Sequence, residues 1–124
     1  MRIVIRAALV ASLLASAPAT TAATAQSPPH PVATTRPLFA IVYRAGPAWK
    51  SGVPMKEQGL RDHFYYVKAL HERGDIVYAG AMGPDGGLMI LHAADQTAAQ
   101  TVAANDPAVK TRIFLADVRH YTPR

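Results

Sequence analysis

An α+β fold in the order βαββαβ is predicted by three features of this 124-residue sequence. Apolar runs rich in β-branched and aromatic residues stand at both ends of residues 38–121, one long helical stripe follows the first of them, and a Gly-Pro-Asp-Gly turn joins two short apolar runs in between. Residues 38–43 (LFAIVY) form the first strand, continuously apolar as a strand buried on both sides would be. A loop with Gly46, Pro47, Gly52 and Pro54 leads to a helix over residues 56–73, with Leu60, Phe64, Val67 and His71 on one stripe and Gly74 as its stop. Residues 75–79 and 87–91 pair as a hairpin through Gly83-Pro84-Asp85-Gly86. Asp95 caps a second helix running to residue 104, and residues 112–121 supply the last strand. The result is a ferredoxin-like arrangement: an antiparallel four-stranded sheet with two helices on one face.

Two helices cover only one face of such a sheet, so the other must be polar or covered. Here both faces are apolar: Leu38, Ala40 and Val42 alternate with Phe39, Ile41 and Tyr43, and Leu88 and Ile90 alternate with Met89 and Leu91. An exposed apolar face of that size predicts a homodimer formed sheet to sheet. The alternative is that the preceding proline-rich arm folds back over the sheet.

Residues 1–25 read as an export signal. Arg2 and Arg6 start it, residues 7–15 are apolar, no acid interrupts it, and Ala23-Thr24-Ala25 supplies the small residues for cleavage after Ala25. The apolar run is about half of the ~20 residues a membrane-spanning helix needs, so stable membrane insertion is not expected. Residues 26–37, with Pro28, Pro29, Pro31 and Pro37, have the composition of an extended linker. The folded domain is therefore residues 38–124, in a periplasmic or secreted protein. The formal charge of +5 falls to +3 once the two arginines of the signal are removed, too mild an excess to signal nucleic acid. With no cysteine in the chain, a disulfide scaffold, a zinc ribbon, a thiolate nucleophile and a lipoprotein anchor are all excluded. Chemistry must come from His, Asp, Glu, Tyr or Ser.

The segments His63-Phe64-Tyr65-Tyr66-Val67-Lys68-Ala69-Leu70-His71-Glu72-Arg73-Gly74, Tyr78-Ala79-Gly80, Gly86-Gly87-Leu88-Met89-Ile90-Leu91 and Asn105-Asp106-Pro107-Ala108-Val109 resemble the YCII-related family of the dimeric α+β barrel superfamily. The resemblance spans residues 39–121. Relatives often place proline directly after the Ala-Gly of the second strand; here Ala81 follows, and Pro84 comes later. An export signal is not typical of the family. The resemblance implies a site built on a His-Asp pair, at His63 and Asp106 in this chain. It also implies a lyase or isomerase type of reaction on a small cyclic or aromatic compound, dehydrochlorination of hydroxylated aromatics being one activity of relatives. The chemistry is consistent with that pairing, because a neutral imidazole accepts a proton near pH 7 and a carboxylate on its other nitrogen fixes the tautomer. Plainer roles are open for both residues. His63 lies at the margin of the helical stripe, where a histidine packs its ring and shows its polar edge to water, and Asp106 before Pro107 has the form of a helix cap. A noncatalytic small-ligand-binding or accessory dimer is the alternative reading of the whole chain.

The remaining candidates are weaker. His63 and His71 are about 12 Å apart along a helix, too far to share a metal ion, so no metal site and no cofactor are expected. The glycines at 80, 83, 86 and 87 precede a strand and carry no Lys-Ser/Thr, which fits a hairpin better than a phosphate cradle. His71 reads as a partly buried structural residue. In the long loop before the first helix, Arg44, Trp49 and Lys50 are candidate substrate-binding residues, Trp49 lining a cleft beside His63 and a cation attracting an anionic group. The alternative is a surface loop with one aromatic anchor.

Overall fold

A computed structural model describes residues 36–124. The expected export signal and all but the last two residues of the linker lie outside them. Strands β1 (Leu38–Ala45), β2 (Ile76–Ala81), β3 (Gly86–His92) and β4 (Phe114–Tyr121) form one antiparallel sheet in the order β2-β3-β1-β4. Helices α1 (Arg61–Glu72), α2 (Gln96–Asn105) and the single turn α3 (Pro107–Lys110) pack on one face, giving the ferredoxin-like α+β fold expected. No helix among the described residues is long and apolar enough to cross a membrane.

The two faces separate by alternation along each strand. Phe39, Ile41 and Tyr43 on β1, Met89 and Leu91 on β3, and Phe114 on β4 form the core with Leu70 of α1 and the alanines at 99, 103 and 108. Small residues on α2 and α3 let these short helices lie close to the sheet. On the opposite face, Val42 registers with Leu88 and Asp117, and Ala40 with Ile90 and Arg119. That face is half-buried by its own neighbours, with no helix over it.

Two elements, the first helix and the last strand, depart from the sequence expectation. The first helix begins at Arg61, and residues 55–57 form a separate 3-10 turn. Gly59 causes the break: its φ of +79° lies in the left-handed region, which interrupts a right-handed helix. The stripe of α1 is also rotated by about one residue. His63, Tyr66, Val67 and Leu70 face inward, while Phe64 (62% exposed) and His71 are turned out. The hydroxyl of Tyr66 donates to Val102 O at 2.8 Å, fixing that rotation against α2. Finally, the last strand starts at Phe114, because Arg112 takes a positive φ of 61° and ends the turn after α3. Asp95 does cap α2, its side chain accepting from Ala98 N at 2.7 Å.

Candidate active site

The centre of the site is Asp106, which is completely inaccessible to solvent. It follows α2 and opens α3, with Pro107 at the first helical position, where a missing N–H costs nothing. Its Oδ1 accepts from Ala108 N at 2.9 Å, the cap expected of an Asp-Pro pair. The same carboxylate also receives the hydroxyl of Tyr43 at 2.9 Å on Oδ2, and the Nδ1 of His63 lies 2.8 and 2.9 Å from its two oxygens. The helix cap and the imidazole partner are thus one residue. Burying an ionised carboxylate is costly unless donors satisfy it, and this one has three.

Each donor comes from a different part of the chain. Tyr43 projects from β1 on the helix-facing side, His63 from the first turn of α1, and Ala108 N from α3. Because a carboxylate only accepts, Nδ1 of a neutral His63 must carry the proton and Nε2 is left with its lone pair. No described residue hydrogen-bonds Nε2. Tyr43 and Phe114 brace the imidazole edge-on, with ring centroids 5.4 and 5.6 Å away. Burial, then the negative charge of Asp106 and the hydrogen bond to it, push the Tyr43 hydroxyl far above the ordinary phenol range. Tyr43 is therefore a fixed donor. Burial and then Asp106 also raise Tyr66, by less, with Arg73 opposing.

His63, whose side chain is 19% exposed, opens into a cavity of about 530 Å³ between α1, the 3-10 turn and the β2-β3 hairpin. Its walls are mainly apolar: Met55, Leu60, Phe64, Val67, Ala79, Leu88, Met89 and Phe114. Glycine is demanded at the hairpin side, since a Cβ on Gly86 would stand 2.7 Å from the carbonyl oxygen of Tyr43 and 3.0 Å from that of Met82. Lys56 and Arg61 complete the lining. Among the described residues no three His, Asp or Glu side chains gather as a metal site would need.

His63 and Asp106, 43 residues apart, are brought to hydrogen-bonding distance. The three loop candidates are placed elsewhere. Trp49 stacks on Phe114, centroids 5.6 Å apart, behind the cavity wall and not in it. That loop is tied down instead of forming a flap: Gly46 N donates to Ile113 O, Ala48 N to Arg112 O, and the buried Gln58 amide bridges Lys50 and Val53. Lys50 is held there, outside the cavity. Arg44 registers with Gly86 and Leu115 on the helix-free face, so it cannot reach His63 from within the cavity. Sequence reasoning missed Tyr43 and Arg61 on the lining and named Lys56 only as a member of the loop before the helix. The signal for Tyr43 was its alternation in phase with Phe39 and Ile41, a buried hydroxyl that had to find a partner.

Comparison with known proteins extends this description. The fold is similar to that of 5-chloro-2-hydroxyhydroquinone dehydrochlorinase from Burkholderia phenoliruptrix, solved in complex with 2,5-dihydroxybenzoquinone, with a TM-score of 0.54 and 17% identity over 69% of this chain and 95% of that one. No curated protein matches the chain. The sequence profile of the YCII-related domain matches residues 38–119. A match over that span, carried on the sheet, helices and hairpin just described, places this chain in the YCII-related domain family.

Proposed function

We propose that this protein is a small-molecule enzyme of lyase or isomerase type, in which His63 and Asp106 transfer a proton on a small cyclic or aromatic compound. One observation carries the reading: a buried carboxylate with three donors holds a histidine by Nδ1 at the edge of an apolar cavity, leaving Nε2 unpartnered. In the reaction, a C–H bond of the substrate breaks and its proton goes to Nε2. The electron pair either expels a leaving group from the neighbouring carbon or is reprotonated at another carbon by the same imidazolium. Asp106 stays ionised throughout and stabilises the imidazolium through the Nδ1–H bond. Tyr43 and Ala108 N hold the carboxylate in place, and the apolar walls strengthen the electrostatics by keeping water out. The similarity to a dehydrochlorinase, an elimination enzyme by name, supports the same class.

The protein is further proposed to act as a homodimer, a second copy covering the helix-free face on which Val42, Leu88, Ile90 and Leu115 lie, and to be exported by cleavage after Ala25. Turnover of a panel of halogenated hydroquinones, phenols and lactones by the mature protein, repeated with His63→Ala, tests the catalytic reading. Removal of a general base costs typically 10²–10⁴-fold in rate, so kcat is expected to fall at least a hundredfold while the thermal transition persists. Unchanged turnover in His63→Ala would overturn it. Ligand binding without turnover of any compound would favour the noncatalytic dimer.

A further inference from the structure

The structure assigns the cavity a ligand class: a small, mostly apolar compound bearing one anionic group, held by Lys56 and Arg61 while its body lies against His63. The inference rests on the proposed function only for the role of His63; the recognition itself stands on the lining. Lys56 comes from the 3-10 turn and Arg61 from the first residue of α1, so two separate elements bring positive charge to one rim. Among the described residues no acidic side chain lines the cavity. Glu57 and Asp62, their neighbours in sequence, point elsewhere, and the carboxylate of Asp106 is sealed behind the imidazole.

Neither cation is engaged in an ion pair within the described residues, a state they share with Arg44, Lys50, Lys110, Arg112 and Arg124; what sets them apart is their place on the cavity lining. Arg61 instead lies 5.7 Å from the ring centroid of Tyr65, a contact that holds the guanidinium on the helix surface without neutralising it. Two cations at the rim of an apolar hollow are poorly matched to a neutral ligand and well matched to an amphipathic anion, which places its charge at the rim and its hydrocarbon inside. An anion at that rim also orients the ligand, because its far end is left facing Nε2. A carboxylate serves this purpose best, since Arg61 can pair with both its oxygens.

Isothermal calorimetry on the full-length protein with benzoate and its neutral isostere benzamide tests the assignment. Benzoate is expected to bind about tenfold more tightly at low salt, the effect of two partly exposed ion pairs, and this preference is expected to shrink as salt is added. In Lys56→Met/Arg61→Met the preference should fall below about twofold while benzamide binding is retained, with an unchanged melting transition showing that the fold survives. Equal affinity for both compounds, a preference that survives in the double variant, or binding of neither compound would overturn the inference. His63→Ala separates this outcome from that of the proposed function. A benzoate preference retained in His63→Ala, with no turnover of any substrate by the wild type, would sink the enzymatic reading alone. His63-dependent turnover that is indifferent to Lys56 and Arg61 would sink this assignment alone.

Discussion

Tyr43→Phe removes one hydroxyl and leaves the ring, and its consequences can be worked out as a function of pH. The hydroxyl donates to a fully buried carboxylate at 2.9 Å, and a hydrogen bond to a charged group contributes about 1.5–3 kcal/mol. That is the expected stability difference between wild type and variant at pH 8. The difference is not constant with pH. Burial and then Asp106 hold the Tyr43 hydroxyl protonated in the folded protein, whereas in the unfolded chain it ionises near its ordinary value of about 10. Above that pH the unfolded state binds fewer protons than the folded one, so stability is present in full below about pH 10 and is lost as pH rises further. The loss is ~1.4 kcal/mol per pH unit for one group, or about 2 kcal/mol at pH 11.5. Tyr43→Phe has no such group to ionise, and the contributions of the other tyrosines, including the raised Tyr66, cancel in the difference. Urea unfolding of both proteins from pH 8 to 11.5 should therefore show the gap narrowing toward zero. A gap of the same size at both ends of the range would refute the claim that this hydroxyl is locked in its neutral form by burial and by Asp106.

Asp106→Ala is expected to cost about 2–4 kcal/mol, since it orphans the buried Tyr43 hydroxyl and uncaps α3. In a domain of this size that lowers Tm by roughly 10–30 °C, measurable by calorimetry. Gly86→Ala should destabilise by about 1–3 kcal/mol, because its Cβ would meet backbone oxygens at 2.7 and 3.0 Å and the hairpin would have to shift; a melting curve identical to wild type would contradict that packing. Ile90→Lys on the helix-free face should convert the proposed dimer to monomer in analytical ultracentrifugation with the helix-side core intact, and a wild type that already sediments as a monomer would dispose of the dimer.

The architecture was legible in the sequence because strand signals here are strong and local. LFAIVY and the Gly-Pro-Asp-Gly turn leave few alternatives, and Asp95 marks its helix start by chemistry alone. The His63-Asp106 pairing was reached through resemblance; no local pattern links residues 43 positions apart. The phase of α1 was misread because Leu60, Phe64, Tyr65, Tyr66 and Val67 offer apolar side chains in almost every direction. What selects the inward face is the partner surface, where Leu70 meets the core and Tyr66 reaches Val102. The loop was open between two readings for a similar reason. Trp49 is an aromatic anchor in either reading, and only the tether between Gly46 and Ile113 decides that it buttresses Phe114 from behind. Lys56 and Arg61 look like ordinary solvated cations until the left-handed Gly59 turns the chain between them and brings both to one rim.

That a single aspartate serves both as helix cap and as the imidazole's anchor has a consequence for when the protein becomes reactive. Tyr43, His63 and the Asp106-Ala108 segment lie far apart along the chain and are synthesised in that order. Until that last piece docks, His63 Nδ1 lacks its carboxylate partner, because the residue that caps α3 is the one that holds the ring. Any loosening of the short α3 turn after folding would release His63 Nδ1 from its carboxylate at the same moment, so the proposed pair exists only while α3 is docked.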